Sequence, residues 1–233
     1  MTSSPSITPG STGAAPGASY LTAGAPAAGA SWLLACGAVA GPLFVTAVLV
    51  QAVTRPGFDL TRDAASLLDT GSWGWIQVVN FIVTGLLFIV AGAGLRRALN
   101  GGRGSRWAPR LLIITGAGCI GGGIFHPDPS GGFPPGTPPG ASAVSSWHGT
   151  LHLICGSAAF LALIVFCVVV ARRYWFLGKR RTAACSLLAG VLCAAGVATG
   201  GIPHGSLTLF IGVSIAMLWI AYLSIQLRAQ HAA

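Results

Sequence analysis

Acidic residues are almost absent from this sequence of 233 residues, which contains four aspartates and no glutamate. Charged residues of all kinds make up 7% of the chain, against about 25% in an ordinary soluble domain. A soluble fold with so few charges would leave apolar surface uncovered and would aggregate. The lack of glutamate also removes the general base of an HExxH metalloprotease. Low charge together with 53% apolar residues therefore indicates a protein whose solvent is lipid.

Several other signatures are missing as well. The six cysteines form no CxxC pair, which argues against a zinc knuckle or a disulfide framework. The chain has no GxxxxGK[ST] loop and no GxGxxG after a strand, so nothing points to nucleotide binding. The net charge of +9 is divided between separate runs rather than forming one patch. We therefore expect no nucleic-acid partner.

What the sequence does contain is six apolar segments, each near the ~20 residues that cross a hydrocarbon core of about 30 Å. We predict membrane spans at Trp32–Val53, Ile76–Leu95, Ala108–Phe125, Thr150–Val170, Ala183–Gly201 and Ser206–Gln226. The predicted fold class is thus all-α, a polytopic membrane protein with a bundle of six transmembrane helices over residues 32–227. Residues 1–31, rich in Ser, Thr, Pro, Gly and Ala, predict a disordered tail, and 228–233 a short C-terminal tail.

Basic residues are unevenly distributed over the connections between these spans. Five lie between spans two and three, five between spans four and five, and one follows span six, whereas the other connections hold two. The eleven residues on one side are expected to be cytoplasmic by the positive-inside rule. The sequence therefore predicts a cell-membrane protein with both termini in the cytoplasm and the lipid bilayer as its partner.

The opposite connections collect the remaining ionisable groups. All four aspartates and four of the five histidines lie in or beside them. Ionisable groups close to a membrane mark function more often than chance. We therefore predict an outward-facing polar site between helix ends, with these candidate residues: Asp59, Arg62, Ser66, Asn80, Asp128, His148, His152 and His204.

The strongest local pattern within this set is a pair of histidines four residues apart. His148 and His152 share one helix face if the fourth span has already begun there. Such a pair can hold a divalent metal such as zinc, with Asp128 after the third span as a third ligand. The alternative is structural, because histidines near helix ends also bond to backbone carbonyls. In the same way, Arg62 could simply form salt bridges with its neighbouring aspartates.

A resemblance to a known family appears in the polar connections. The segments that carry it include Arg55-Pro56-Gly57-Phe58-Asp59, Gly74-Trp75-Ile76-Gln77 and His148-Gly149-Thr150-Leu151-His152. Together they resemble the bacterial and archaeal membrane family called domain of unknown function 998, over roughly residues 32–226. The resemblance implies an integral membrane protein of about six helices, and it brings no substrate or catalytic residue.

Three functions stay open at this point. The first is a helical bundle of unassigned activity whose polar site binds a small molecule or a lipid. The second is a membrane hydrolase that uses a metal held by Asp128, His148 and His152 to activate water. The third is a small-solute transporter, although the spans contain few polar residues near the middle of the bilayer. Whether the protein is an enzyme is left undecided by the sequence.

Overall fold

The computed structural model describes residues 28–99, 101–138, 145–202 and 204–232 of the chain. These residues form one 3₁₀ helix, Ala65–Asp69, and six α-helices. The α-helices are α1 (Ala28–Thr54), α2 (Trp75–Ala98), α3 (Trp107–Ile124), α4 (Trp147–Phe176), α5 (Arg180–Thr199) and α6 (Gly205–Ala232). The predicted bundle of six helices is confirmed for the described residues.

Several helices extend beyond the predicted spans. α1 begins at Ala28, inside the range 1–31 assigned to the tail, and residues 1–27 of that predicted tail lie outside the described residues. α6 continues to Ala232, through most of the range 228–233 assigned to a C-terminal tail. Hydropathy detects the part of a helix that meets lipid. It does not detect where the backbone hydrogen bonds end, so the helices are longer than the apolar runs.

The helices carry apolar residues on all sides. The shortest, α3, has 18 residues and the longest, α4, has 30, which is enough to cross a bilayer. Large apolar side chains point away from the bundle, for example Leu161 at 63% exposure and Leu188 at 58%. Such a surface is stable only in lipid, and helices satisfy their backbone groups internally there. The protein is therefore a multi-pass membrane protein.

The six helices form a closed ring in which each packs against the next and α6 returns to α1. Small residues make these contacts close. A Cβ atom added to Gly85 would lie 2.5 Å from the carbonyl oxygen of Gly116, and the reverse contact has the same distance. Gly41 approaches Met217 on α6 equally closely. These glycines therefore serve packing within one chain, as small residues do in membrane bundles.

The two ends of the ring differ in charge. At the end that we call the arginine end, the α2–α3 and α4–α5 connections meet. Arg173 donates to the carbonyls of Gly101 and Arg103 at 2.9 Å, and the Arg103 guanidinium lies 3.4 Å from the ring centre of Phe176. The α4–α5 turn there is only three residues long, from 177 to 179. The opposite end, which holds all four aspartates, is called the Asp/His end below.

Two connections pack together at the Asp/His end. The described part of the α3–α4 connection, residues 125–138 and 145–146, contains no helix. Its Phe133 is fully buried, with Phe58 edge-on at 5.2 Å and the Arg55 guanidinium 5.3 Å from the ring centre. The described part of the α3–α4 connection thus packs against the α1–α2 connection at that end of the bundle.

Candidate functional site

An ion pair organises the connection between α1 and α2. Arg62 donates to the carboxylate of Asp63 from Nε at 2.9 Å and from Nη2 at 2.8 Å, which raises the pKa of the guanidinium. Asp59 accepts from the hydroxyl and the backbone N–H of Thr61, and these bonds lower the pKa of Asp59. His204, in the left-handed region at φ 62°, is close enough to favour the Asp59 carboxylate electrostatically. The salt-bridge interpretation of Arg62 is confirmed for Asp63.

A second polar cluster caps the start of α4. The hydroxyl and backbone N–H of Ser146 lower the pKa of the Asp128 carboxyl, and the Ser145 hydroxyl adds a bond at 3.2 Å. The Ser146 hydroxyl also accepts from the N–H of Gly149 at 3.0 Å, as a helix N-cap does. A side chain at Gly149 would collide with the Asp128 carboxylate. Asp128 therefore has contacts that fix the entry of α4.

The two histidines join α4 to the end of α3. They lie one turn apart on α4, as predicted. His148 Nδ1 is 3.1 Å from the carbonyl oxygen of His126, and His152 Nδ1 is 3.0 and 2.7 Å from those of Gly122 and Phe125. The carbonyls of Gly122 and Phe125 belong to the last turn and the C-cap of α3, where backbone carbonyls have no partner within the helix, and His126 follows directly. Both Nδ1 atoms therefore make the contacts with backbone carbonyls that the structural alternative predicts.

Asp69 is the most unusual polar group at this end of the molecule. Its side chain is fully buried, and neither carboxylate oxygen has a hydrogen-bond partner within the described residues. His126 Nδ1 lies 3.7 Å away, too far for a hydrogen bond, and the imidazole is 54% exposed to solvent. The attraction of His126 is therefore weak compared with the cost of burial, which raises the pKa of Asp69 to about 8.

Asn80 belongs to a buried polar chain between α1 and α2. Its amide donates to the carbonyl of Phe44 on α1 at 3.3 Å and to Gln77 at 3.2 Å. Gln77 in turn accepts from Gln51 at 2.8 Å, and Thr84 donates to Asn80 at 3.4 Å. All of these bonds connect neighbouring helices or turns in an apolar setting. Asn80 therefore has a packing role and stands apart from the other candidates.

The three candidate metal ligands contact different groups rather than a common point. Among the described residues, no group of three or more His, Cys, Asp or Glu side chains is placed to hold an ion. Asp128 bonds to serines, while His148 and His152 direct Nδ1 to carbonyls. The predicted metal site of Asp128, His148 and His152 stays a prediction, and no described contact adds support to it.

A central cavity of about 410 Å³ lies inside the helix ring toward the Asp/His end. It receives side chains from all six helices and from the 3₁₀ segment. Most are apolar, and the largest are Phe44, Phe81, Phe160 and Phe210. Its volume falls within the about 300–1,000 Å³ of typical small-molecule sites. Two of the predicted site residues, Ser66 and His152, line this cavity.

The cavity opens sideways between α4 and α5. Its exposed lining residues are Leu153 and Ser157 on α4, Val197 on α5 and Gly201 just after it. Contacts such as the bond from the Ser186 hydroxyl to the carbonyl of Cys167 join the two helices nearer the arginine end. We call the gap between Leu153, Ser157 and Val197 the lateral opening. The exposed surface beside it carries large apolar side chains such as Ile154 and Leu161.

A closed ring of six helices long and apolar enough to span a membrane, with a mainly apolar internal cavity, defines a polytopic membrane protein. The chain belongs to the family described as protein of unknown function DUF998, whose model matches residues 38–226. The resemblance drawn from the polar connections is thereby confirmed. No curated protein and no solved structure matches the chain.

Two features of this site were not anticipated from the sequence. The cavity is lined mainly by apolar residues of the kind found on any membrane helix. One of the lining residues on α4, Gly156, cannot be distinguished in the sequence from a glycine that serves helix packing. The contact of Asp69 with His126 was also missed. The distribution of charged residues over the connections places Asp69 and His126 at the same end of the bundle, and this is the only indication that the sequence offers. Their pairing depends on how the two connections fold over each other.

Proposed function

We propose that the protein binds a single-chain lipid in the central cavity and that the lipid reaches the cavity from the bilayer through the lateral opening. The observation that carries this proposal is the cavity itself, an apolar space inside the ring that is open to the lipid-facing surface. An apolar chain there would exchange one hydrocarbon environment for another, so access requires no passage through water.

The size of the cavity favours one hydrocarbon chain. A methylene group takes up about as much space as a water molecule, roughly 30 Å³ in the liquid. A volume of about 410 Å³ therefore accommodates a chain of a dozen or so carbons. The remainder of a longer chain can extend through the lateral opening into the bilayer.

The proposal includes an orientation in the cell membrane. Arginines concentrate at one end of the ring and aspartates at the other. Under the positive-inside rule, the arginine end and both termini face the cytoplasm, and the Asp/His end faces outward. The lipid headgroup would then be held near the outer surface of the membrane, below the connections that carry Asp59 and Asp128.

Photolabelling with a hexadecanol that carries a diazirine at mid-chain tests the proposal on purified protein in detergent. The label is expected on peptides of α4 and α6 that line the cavity. The variant Gly156→Phe should reduce labelling about tenfold, because a Cβ at Gly156 meets no described atom within 4 Å and a larger side chain would occupy the cavity.

The matched control is Ala158→Phe. Ala158 lies two residues further along α4, is exposed and is not part of the cavity lining. This variant places the same phenyl ring on the lipid-facing surface and should label like the wild type. Equal labelling of Gly156→Phe and the wild type, or labels spread over the whole lipid-facing surface, would refute the proposal.

A further inference from the structure

His152 uses its two ring nitrogens differently. Its Nδ1 is within hydrogen-bond distance of two backbone carbonyls at the end of α3, at 2.7 and 3.0 Å. A carbonyl oxygen can only accept, so Nδ1 must carry the proton. The opposite nitrogen, Nε2, has no hydrogen-bond partner within the part of the chain that the structure describes.

The free nitrogen lies on the ring edge away from the two α3 carbonyls, and His152 lines the central cavity. His152 is 7% exposed and lines the cavity, and its Nδ1 side is turned toward α3. In the neutral imidazole with the proton on Nδ1, Nε2 is a hydrogen-bond acceptor. An acceptor buried beside an apolar space is costly unless a donor reaches it. The cavity thus contains one strong acceptor in otherwise mainly apolar surroundings.

The same region of the cavity is closed by the connection between α1 and α2. Ala64, Ala65 and Ser66 line it there, and the Ser66 hydroxyl has no partner within the described residues. No ionised side chain belongs to the cavity lining. An anionic headgroup would meet the lone pair of Nε2 without a compensating positive charge, whereas a neutral O–H group could donate to it.

We infer that the cavity selects single-chain lipids with a neutral hydroxyl headgroup, such as long-chain alcohols and monoacylglycerols, and that His152 Nε2 accepts the hydrogen bond from that hydroxyl. This inference rests on the proposed function, since it requires the chain to occupy the cavity. It adds the chemical class of the headgroup and the atom that recognises it.

Competition against the diazirine-bearing hexadecanol tests this assignment. The competitors are hexadecanol, 1-methoxyhexadecane, which has the same chain length but no donor, and hexadecanoate. Hexadecanol should compete about fivefold to tenfold better than the ether in the wild type, the effect of one net hydrogen bond of about 1 kcal/mol or slightly more. Hexadecanoate should compete no better than the ether.

The variant His152→Asn provides the control for partitioning and for structure. Its amide can still donate toward the α3 carbonyls, but no acceptor remains at the position of Nε2. The preference for hexadecanol over the ether should disappear in this variant. Because both proteins are measured in the same detergent, the comparison of the two preferences cancels the unequal partitioning of the competitors.

The outcomes separate the inference from the proposed function. If the probe fails to label the cavity of the wild type, the proposed function is wrong. If it labels the cavity and Gly156→Phe blocks it, but the alcohol and the ether compete equally or hexadecanoate competes best, only the headgroup assignment is wrong. If His152→Asn still prefers hexadecanol over the ether, the headgroup assignment is likewise wrong.

A measurement on the wild type covers the case in which His152→Asn does not fold. In protein labelled with ¹⁵N-histidine, the Nε2 resonance of His152 should move on addition of hexadecanol and stay in place on addition of 1-methoxyhexadecane. An Nε2 resonance that responds equally to both compounds would overturn the inference.

Discussion

Replacing Asp69 by asparagine should make the protein less sensitive to pH. Asp69 is fully buried at the Asp/His end, and its oxygens have no hydrogen-bond partner among the described residues. Burial penalises the charged form of the carboxyl and raises its pKa from 3.8 to about 8. Asparagine has nearly the same shape and is neutral at every pH, so Asp69→Asn removes the titration and leaves the packing intact.

The sign and size of the effect follow from proton linkage. Between pH 3.8 and about pH 8, the folded chain keeps a proton on Asp69 that the unfolded chain has lost, so stability falls as the pH rises through this window. Below it both states are protonated, and the full stability is present. Each pH unit inside the window weakens folding by at most about 1.4 kcal/mol, which amounts to several kcal/mol in total.

Thermal unfolding of the purified protein in detergent, followed from pH 4 to pH 8.5, measures this effect. The wild-type midpoint should fall by a few degrees per pH unit relative to Asp69→Asn. The variant should be the more stable protein at pH 8.

The matched control is Asp63→Asn in the same connection. Asp63 is equally buried but accepts bonds from Arg62 and from the N–H of Asp59. Its replacement should lower stability at pH 8, since it leaves the Arg62 guanidinium and the N–H of Asp59 without an anionic partner. If the wild type and Asp69→Asn gave parallel curves, the carboxyl would have an ordinary pKa and the argument from burial would be wrong.

Two further predictions concern packing and orientation. Gly116→Val should destabilise the folded protein by about 1–3 kcal/mol, because the new side chain meets the backbone of Gly85. Gly156→Ala should change the unfolding midpoint little, and equal losses in the two variants would contradict the packing argument. In intact cells, Ser72→Cys should react with a membrane-impermeant maleimide, whereas Arg106→Cys should react only after permeabilisation. Labelling of the wild type measures the background from the native cysteines. The reverse pattern of labelling would refute the proposed orientation.

The helical framework was predictable because lipid imposes two simple requirements on a sequence. A span needs about 20 apolar residues, and its flanking charges follow the side of the membrane. The predicted third span, Ala108–Phe125, accordingly differs from α3 by one residue at each end. The ends of α1 and α6 were predicted less well, since helix there continues past the apolar run.

The candidate site was predictable only in part. The spacing of His148 and His152 correctly placed them on one helix face. Their partners are backbone carbonyls at or just after the end of α3 and, for His148, also the Ser146 hydroxyl, and no residue type in the sequence indicates these contacts. The lining of the cavity is equally hidden, because it depends on how six apolar helices are arranged around a common axis. Sequence patterns report which residues prefer lipid or protein, and they do not report where packing leaves a space.

Because α4 and α5 are joined by a short turn at one end, a small change of angle at this turn moves their far ends by a much larger distance. The turn at residues 177–179 holds them together at the arginine end, while the lateral opening lies toward their far ends. With 20 residues, α5 is roughly 30 Å long, so a change of only about 10° at the turn would displace its far end by about 5 Å. Under the proposed function, the width of the lateral opening therefore depends most strongly on the angle of a turn at the opposite side of the membrane.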